Sequence, residues 1–150
     1  MNSSLGILRF VSVGCLFAAI VFAAVASAQE AYCPATVSVK QEAVPAPAGW
    51  RVTHDPAPHS LMAVTFYEGP VEQNASLVPN NRRKINPQKE VESWHFVPNP
   101  EGNWISCQYA STDIALVKQL PGGTTSCTVT YNRQVSIAGH SEIDKVSCTK

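Results

Sequence analysis

The chain has 150 residues, and its eleven lysines and arginines balance eleven aspartates and glutamates, so the formal charge at pH 7 is zero. A neutral chain with one short basic cluster offers no electrostatic footprint for nucleic acid or for an anionic membrane surface. This length holds a single domain able to bury about two-thirds of its unfolded surface, and eleven prolines against two methionines fit a small β protein better than a helical one.

The first element is a leader. Arg9 precedes an apolar stretch over residues 10–25, which closes on Ala26-Ser27-Ala28 before the polar pair Gln29-Glu30. A basic start, an apolar middle and small residues at the cut make a signal-peptidase site. Residues 1–28 are therefore expected to be a cleaved signal peptide, leaving residues 29–150 as one exported domain, periplasmic or secreted. Two rival readings fit less well. Gly14-Cys15 would mark a lipoprotein, but Ser12 stands where a bulky aliphatic residue is wanted. An uncleaved anchor would use an apolar stretch only nearly long enough to span. Losing the leader removes Arg9 alone, leaving ten basic against eleven acidic side chains. No later stretch is long and apolar enough to cross a bilayer, so no membrane contact is expected after cleavage.

Beyond the leader, Val37 and Val39 alternate with Ser38 and Lys40, which predicts a strand over residues 35–40. Residues 43–49 are rich in proline and alanine and run extended to Trp50; Asp55-Pro56 and Ala57-Pro58 add turns. Residues 61–67 (LMAVTFY) read as a central strand, stopped by Glu68-Gly69-Pro70. The polar segment 71–93 exceeds an ordinary connection and is expected to project as a loop, with at most a helical turn near residues 71–77. Residues 94–97 and 104–109 suggest a hairpin across Pro98-Asn99-Pro100. A strand over residues 113–120 turns at Pro121-Gly122-Gly123 into a strand over residues 126–133, where Cys127, Val129 and Tyr131 share one face. Residues 143–149 close the chain, after a turn near Ala138-Gly139. The expected fold is mainly β: a single small antiparallel sandwich or open barrel.

Cys33, Cys107, Cys127 and Cys148 remain in the mature chain, spaced by 74, 20 and 21 residues. An even count in a small exported domain reads as a disulfide framework. These spacings match no zinc pattern, and without a CxxC a thioredoxin-type site is not expected. Folding the last hairpin about residues 137 and 138 sets Cys127 opposite Cys148, within disulfide range. In a simple meander the strand over residues 113–120 would separate Cys107 from Cys127 by roughly 9.6 Å, so Cys33 pairs with Cys107 by elimination. The chain-entropy model assigns the two staples about 3.4 and 4.5 kcal/mol.

Cys33-Pro34-Ala35-Thr36, Gly49-Trp50, Glu68-Gly69-Pro70, Leu77-Val78-Pro79, Trp94 with Phe96, Trp104 with Cys107 and Tyr109, Leu120-Pro121 and Cys127 occur in this order. Together they resemble a family of small exported proteobacterial proteins known only as a domain of unknown function. The resemblance implies an envelope or secreted protein with a β-rich domain. It brings no catalytic or binding residue with it.

The residues themselves show no catalytic set. His54 and His59 flank Asp55 in a loop, but no third ligand follows at a metal-site spacing. His95 faces away from Trp94, and His140 sits beside a turn. No serine lies in Gly-x-Ser-x-Gly, and Pro121-Gly122-Gly123-Thr124-Thr125 lacks the lysine and the helix of a phosphate loop. Neither metal nor cofactor is expected. Trp50, Trp94 and Trp104 read as buried anchors of a small sheet.

Arg82, Arg83 and Lys84 form the one basic cluster and are the candidate binding residues, since guanidinium groups pair well with carboxylates. The expectation is a non-enzymatic exported domain that binds another envelope or secreted protein, such as an enzyme it inhibits or a toxin it neutralises. The alternatives are an envelope hydrolase with residues assembled across strands, and a structural component of the cell surface.

Overall fold

A computed structural model describes residues 31–42, 45–53 and 56–150. Its strands are β1 (Thr36–Val37), β2 (His59–Glu68), β3 (Ser76–Leu77), β4 (Asn81–Asn86), β5 (Lys89–His95), β6 (Asn103–Tyr109), β7 (Ala115–Gln119), β8 (Ser126–Ile137) and β9 (His140–Thr149), with one 3₁₀ turn at Val71–Gln73. They form two antiparallel sheets. One runs β1-β2-β6-β7, with β3 also against β2; the other runs β4-β5-β8-β9. The expected mainly β sandwich with two disulfides is the fold, and it does not close into a barrel.

Period-two alternation explains how the sheets meet. Phe66 on β2, Ile105 on β6, and Trp94 and Val129 on the second sheet all turn inward and are buried. Phe66 packs against Trp94 at 4.8 Å and 53°, and against Phe96 at 5.6 Å, in the tilted geometry aromatic rings favour. The polar atoms drawn into this layer have partners: the Trp94 indole donates to the Leu77 carbonyl at 3.1 Å, and the Tyr109 hydroxyl to the Pro34 carbonyl at 3.1 Å.

Three local expectations are overturned. The long loop over residues 71–93 is instead the 3₁₀ turn, β3 and the β4–β5 hairpin. Its strands were hidden because β5 inverts the usual pattern, turning Glu90 and Glu92 inward with Trp94 and leaving Val91 outward. The turn is set by Asn86, whose side-chain oxygen accepts from the backbone N–H groups of Gln88 and Lys89 at 2.9 and 2.8 Å. Secondly, residues 94–97 and 104–109 make no hairpin, because β5 pairs with β4 and β8 whereas β6 pairs with β2 and β7. The intervening segment crosses between sheets. Thirdly, β7 and β8 are not neighbours, so the simple meander does not exist. The pairing of Cys33 with Cys107 holds even so, at a Cα separation of 5.7 Å.

Cys127 and Cys148 are register partners and are bonded. The turn, however, lies at Ala138-Gly139, both at positive φ (49° and 88°), as a two-residue hairpin turn requires. A turn there starts the ladder two positions out of step with the cysteines. Two irregularities restore it, one leaving Arg133, Gln134 and Val135 unpaired and one leaving Asp144 unpaired.

Candidate partner-binding surface

The basic cluster lies on β4, an edge strand whose residues are all exposed. Strand alternation divides it. Arg82 stands opposite Glu92 and Lys84 opposite Glu90, on the side turned toward the other sheet; Arg83 stands opposite Val91 on the outer side. These three residues are one cluster in sequence and two in space.

Arg82 belongs to a network. Its guanidinium forms an ion pair with Glu92, including an Nε–H bond to Oε1 at 2.6 Å, and lies 3.4 Å from Glu90. The other Glu92 oxygen accepts the Tyr131 hydroxyl at 2.7 Å. Glu92 is only 7 % exposed, so these two partners are what let a carboxylate sit at the margin of an apolar layer. The hydrogen bond to Glu92, then the carboxylate's charge, raises the Arg82 pKa. Burial, then the same carboxylate, pushes the Tyr131 phenol well above its ordinary range. Arg133 approaches Glu90 at 3.9 Å.

Around this network opens a cleft of about 250 Å³, lined by Met62, Ala63 and Val64 of β2 as well as the charged groups, with His140 and Ser141 at its edge. It gathers a histidine and two carboxylates. Both carboxylates are committed to guanidinium groups, however, and neither bonds His140. As bonded, this is a polar clasp rather than an imidazole–carboxylate pair of the kind general acid–base chemistry uses.

Arg83 and Lys84 have no ion-pair partner among the described residues, whereas the nearby Lys89 pairs with Asp144 at 2.9 Å. The outer face beside Arg83 is polar: register rows run Arg83, Val91, Thr130, Lys145 and Asn81, Ser93, Thr128, Ser147. Arg83 over such a face, with Lys84 on the opposite side of the same edge strand, suits a carboxylate-bearing surface of another protein. The Glu92–Tyr131 half of the network was invisible in the sequence, since only strand register brings residues 39 positions apart together.

The other candidates resolve simply. His59 Nδ1 lies 2.7 Å from the Ala110 carbonyl, which makes it a donor that fastens the start of β2. His54 and Asp55 lie outside the described residues, so the expected loop pair is not placed. His95 is exposed on the face opposite Trp94, and His140 is exposed at its turn. Of the tryptophans only Trp94 is a buried anchor: Trp104 is half-buried on an outer face, and Trp50 is 76 % exposed on the proline-rich segment, which gives it no sheet to pack on.

Comparison with known proteins gives this surface a context. A family model described as "Type VI secretion system Tli immunity protein" matches residues 55–149. An "Uncharacterized 16.3 kDa protein in trpG 5'region" of Azospirillum brasilense is 30% identical over 111 residues, which cover 70% of this chain and 73% of that relative. No solved structure matches. The match takes in both strands of the basic hairpin, the last three strands and the Cys127–Cys148 staple, and it adds a role to the resemblance read from the motifs: the chain belongs to the family of type VI secretion system Tli immunity proteins.

Proposed function

We propose that the protein is an exported, non-enzymatic binding protein that neutralises a toxin delivered by a type VI secretion system, acting in the periplasm after removal of residues 1–28. The observation that carries this reading is the family match over residues 55–149. Two disulfides in so small a domain support an oxidising compartment. Arg83 and Lys84 are the contact residues of this reading, on opposite faces of β4, with Arg82 holding the strand that presents them. The partner surface they suit is acidic.

The test is protection. Candidate toxins from the genes neighbouring this chain's are each directed to the periplasm of test cells, and for one of them the cells should survive when they also export this chain. They should die when the chain is kept in the cytoplasm by deleting residues 2–28. Death in both cases with every candidate contradicts neutralisation, and survival in both contradicts the compartment. The envelope-hydrolase alternative would rest on the cleft that joins His140 to Glu90 and Glu92; it requires His140→Ala to abolish protection, whereas a binding protein should keep it.

A further inference from the structure

The two sheets end in edges of unlike character. β4 is guarded by Arg82, Arg83 and Lys84, and β9 by Glu142, Lys145 and the irregularity at Asp144. Charges and irregularities of this kind are how natural sheets discourage pairing with another chain. β2 is covered at its two ends by β1 and β3. β7 has fewer of these devices, a single inward-turned lysine. Its register against β6 is unbroken, and it contains no proline. Its one charge, Lys118, is drawn in over the Tyr32 ring at 5.6 Å, with its amine 3.5 Å from the Ala31 carbonyl. Ile114, Leu116 and Val117 are meanwhile 44%, 38% and 45% exposed.

Hydrogen-bond parity fixes which backbone groups are open. The Leu120 N–H donates to the Asn103 carbonyl at 2.8 Å. With the ladder register, this turns Leu116, Lys118 and Leu120 toward β6 and leaves the N–H and C=O groups of Ala115, Val117 and Gln119 facing away. These outward backbone groups have no partner among the described residues. The side chains of the same three residues continue rows across the outer face of the sheet: Tyr67, Trp104, Gln119; then Thr65, Ser106, Val117; then Ala63, Gln108, Ala115. None of the nine is charged. Depletion of charge together with tyrosine and tryptophan marks the core of protein–protein contacts.

We infer that the free edge of β7 is a strand-addition site, at which an extended segment of the partner toxin pairs with Ala115, Val117 and Gln119 and lays uncharged side chains beside Val117 and Trp104. This rests on the immunity reading and specifies how the partner is held: backbone pairing supplies the attachment, and the uncharged face selects the segment. The basic hairpin on β4 would then add a salt-dependent contact to this backbone pairing.

The probe is the purified toxin that the protection test selects, titrated against the mature chain and two variants. Val117→Pro removes an outward N–H without touching the ladder to β6, because proline is tolerated on an open edge. Val117→Thr keeps the N–H and the β-branched shape. Val117→Pro should weaken binding at least about tenfold while melting close to the parent, and Val117→Thr should bind as the parent does. In the unaltered complex the amides of Val117 and Gln119 should become slow to exchange with deuterium. Unslowed exchange at those amides overturns the site even if Val117→Pro fails to fold. Parent-like binding by a folded Val117→Pro overturns it as well. Slowing that appears in the chain alone and grows with its concentration would show that a second copy takes the edge, and also overturns it. If the unaltered chain binds no toxin, the immunity reading itself fails and the site falls with it.

Discussion

Arg82 on β4 and Glu92 on β5 stand directly opposite each other, and the guanidinium closes on a carboxylate the fold has buried. The pair separates two kinds of cation within one three-residue run. Removing Arg82 strands Glu92 with a single partner, and an under-compensated buried carboxylate is costly. Arg82→Ser should therefore lower the melting temperature. Arg83→Ser with Lys84→Ser should leave stability within about 0.5 kcal/mol of the parent, as surface changes do. Thermal melts of the two variants decide this, and equal melting would deny the network its structural role.

Tyr131 supplies the other partner of Glu92. Tyr131→Phe should cost about 1.5–3 kcal/mol, the range for a hydrogen bond to a charged group, read from denaturant unfolding. A pH dependence follows from the same site. Burial raises the Tyr131 and Tyr109 phenols above their unfolded values, so the neutral forms are favoured in the folded state. Their contribution is complete below about pH 10, the unfolded value, and is lost as pH climbs through the folded values. Unfolding free energy should fall from about pH 10 upward, and less steeply in Tyr131→Phe.

The two staples should be Cys33–Cys107 and Cys127–Cys148, which peptide mapping without reduction reads directly. Replacing Cys127 and Cys148 together by alanine should cost about 3.4 kcal/mol, and replacing Cys33 and Cys107 about 4.5 kcal/mol, on the chain-entropy account. Free thiols in the exported protein would contradict the framework.

How much of this was legible in the sequence depended on whether the information was local. The Cys127–Cys148 pair was legible because alternation in SCTVTYNR fixed which face Cys127 takes. The register came out right although the turn lies further along, since two ladder irregularities make up the difference. The β4–β5 hairpin was not legible, because Glu90 and Glu92 occupy inward positions where apolar residues are the usual signal. Nor was the split of Arg82 from Arg83: it follows from strand pairing, and a run read as a loop carries no faces. Sheet membership was the hardest part. Nothing in residues 96–102 or 120–125 distinguishes a hairpin turn from a crossing between layers.

Maturation is a separate expectation. Exported protein should begin at Gln29, and its intact mass should match residues 29–150 with two disulfides. A lipid mass on Cys15, or retention of the leader, would overturn the proposed compartment.

Binding to the toxin is the central claim, and calorimetric titration of the mature, oxidised chain with the toxin that the protection test selects tests it most directly. The expected result is saturable one-to-one binding that weakens at higher ionic strength, with Arg83→Ser and Lys84→Ser together reducing both the affinity and its dependence on salt. A correctly folded chain that gives no saturable signal at either ionic strength would contradict the account.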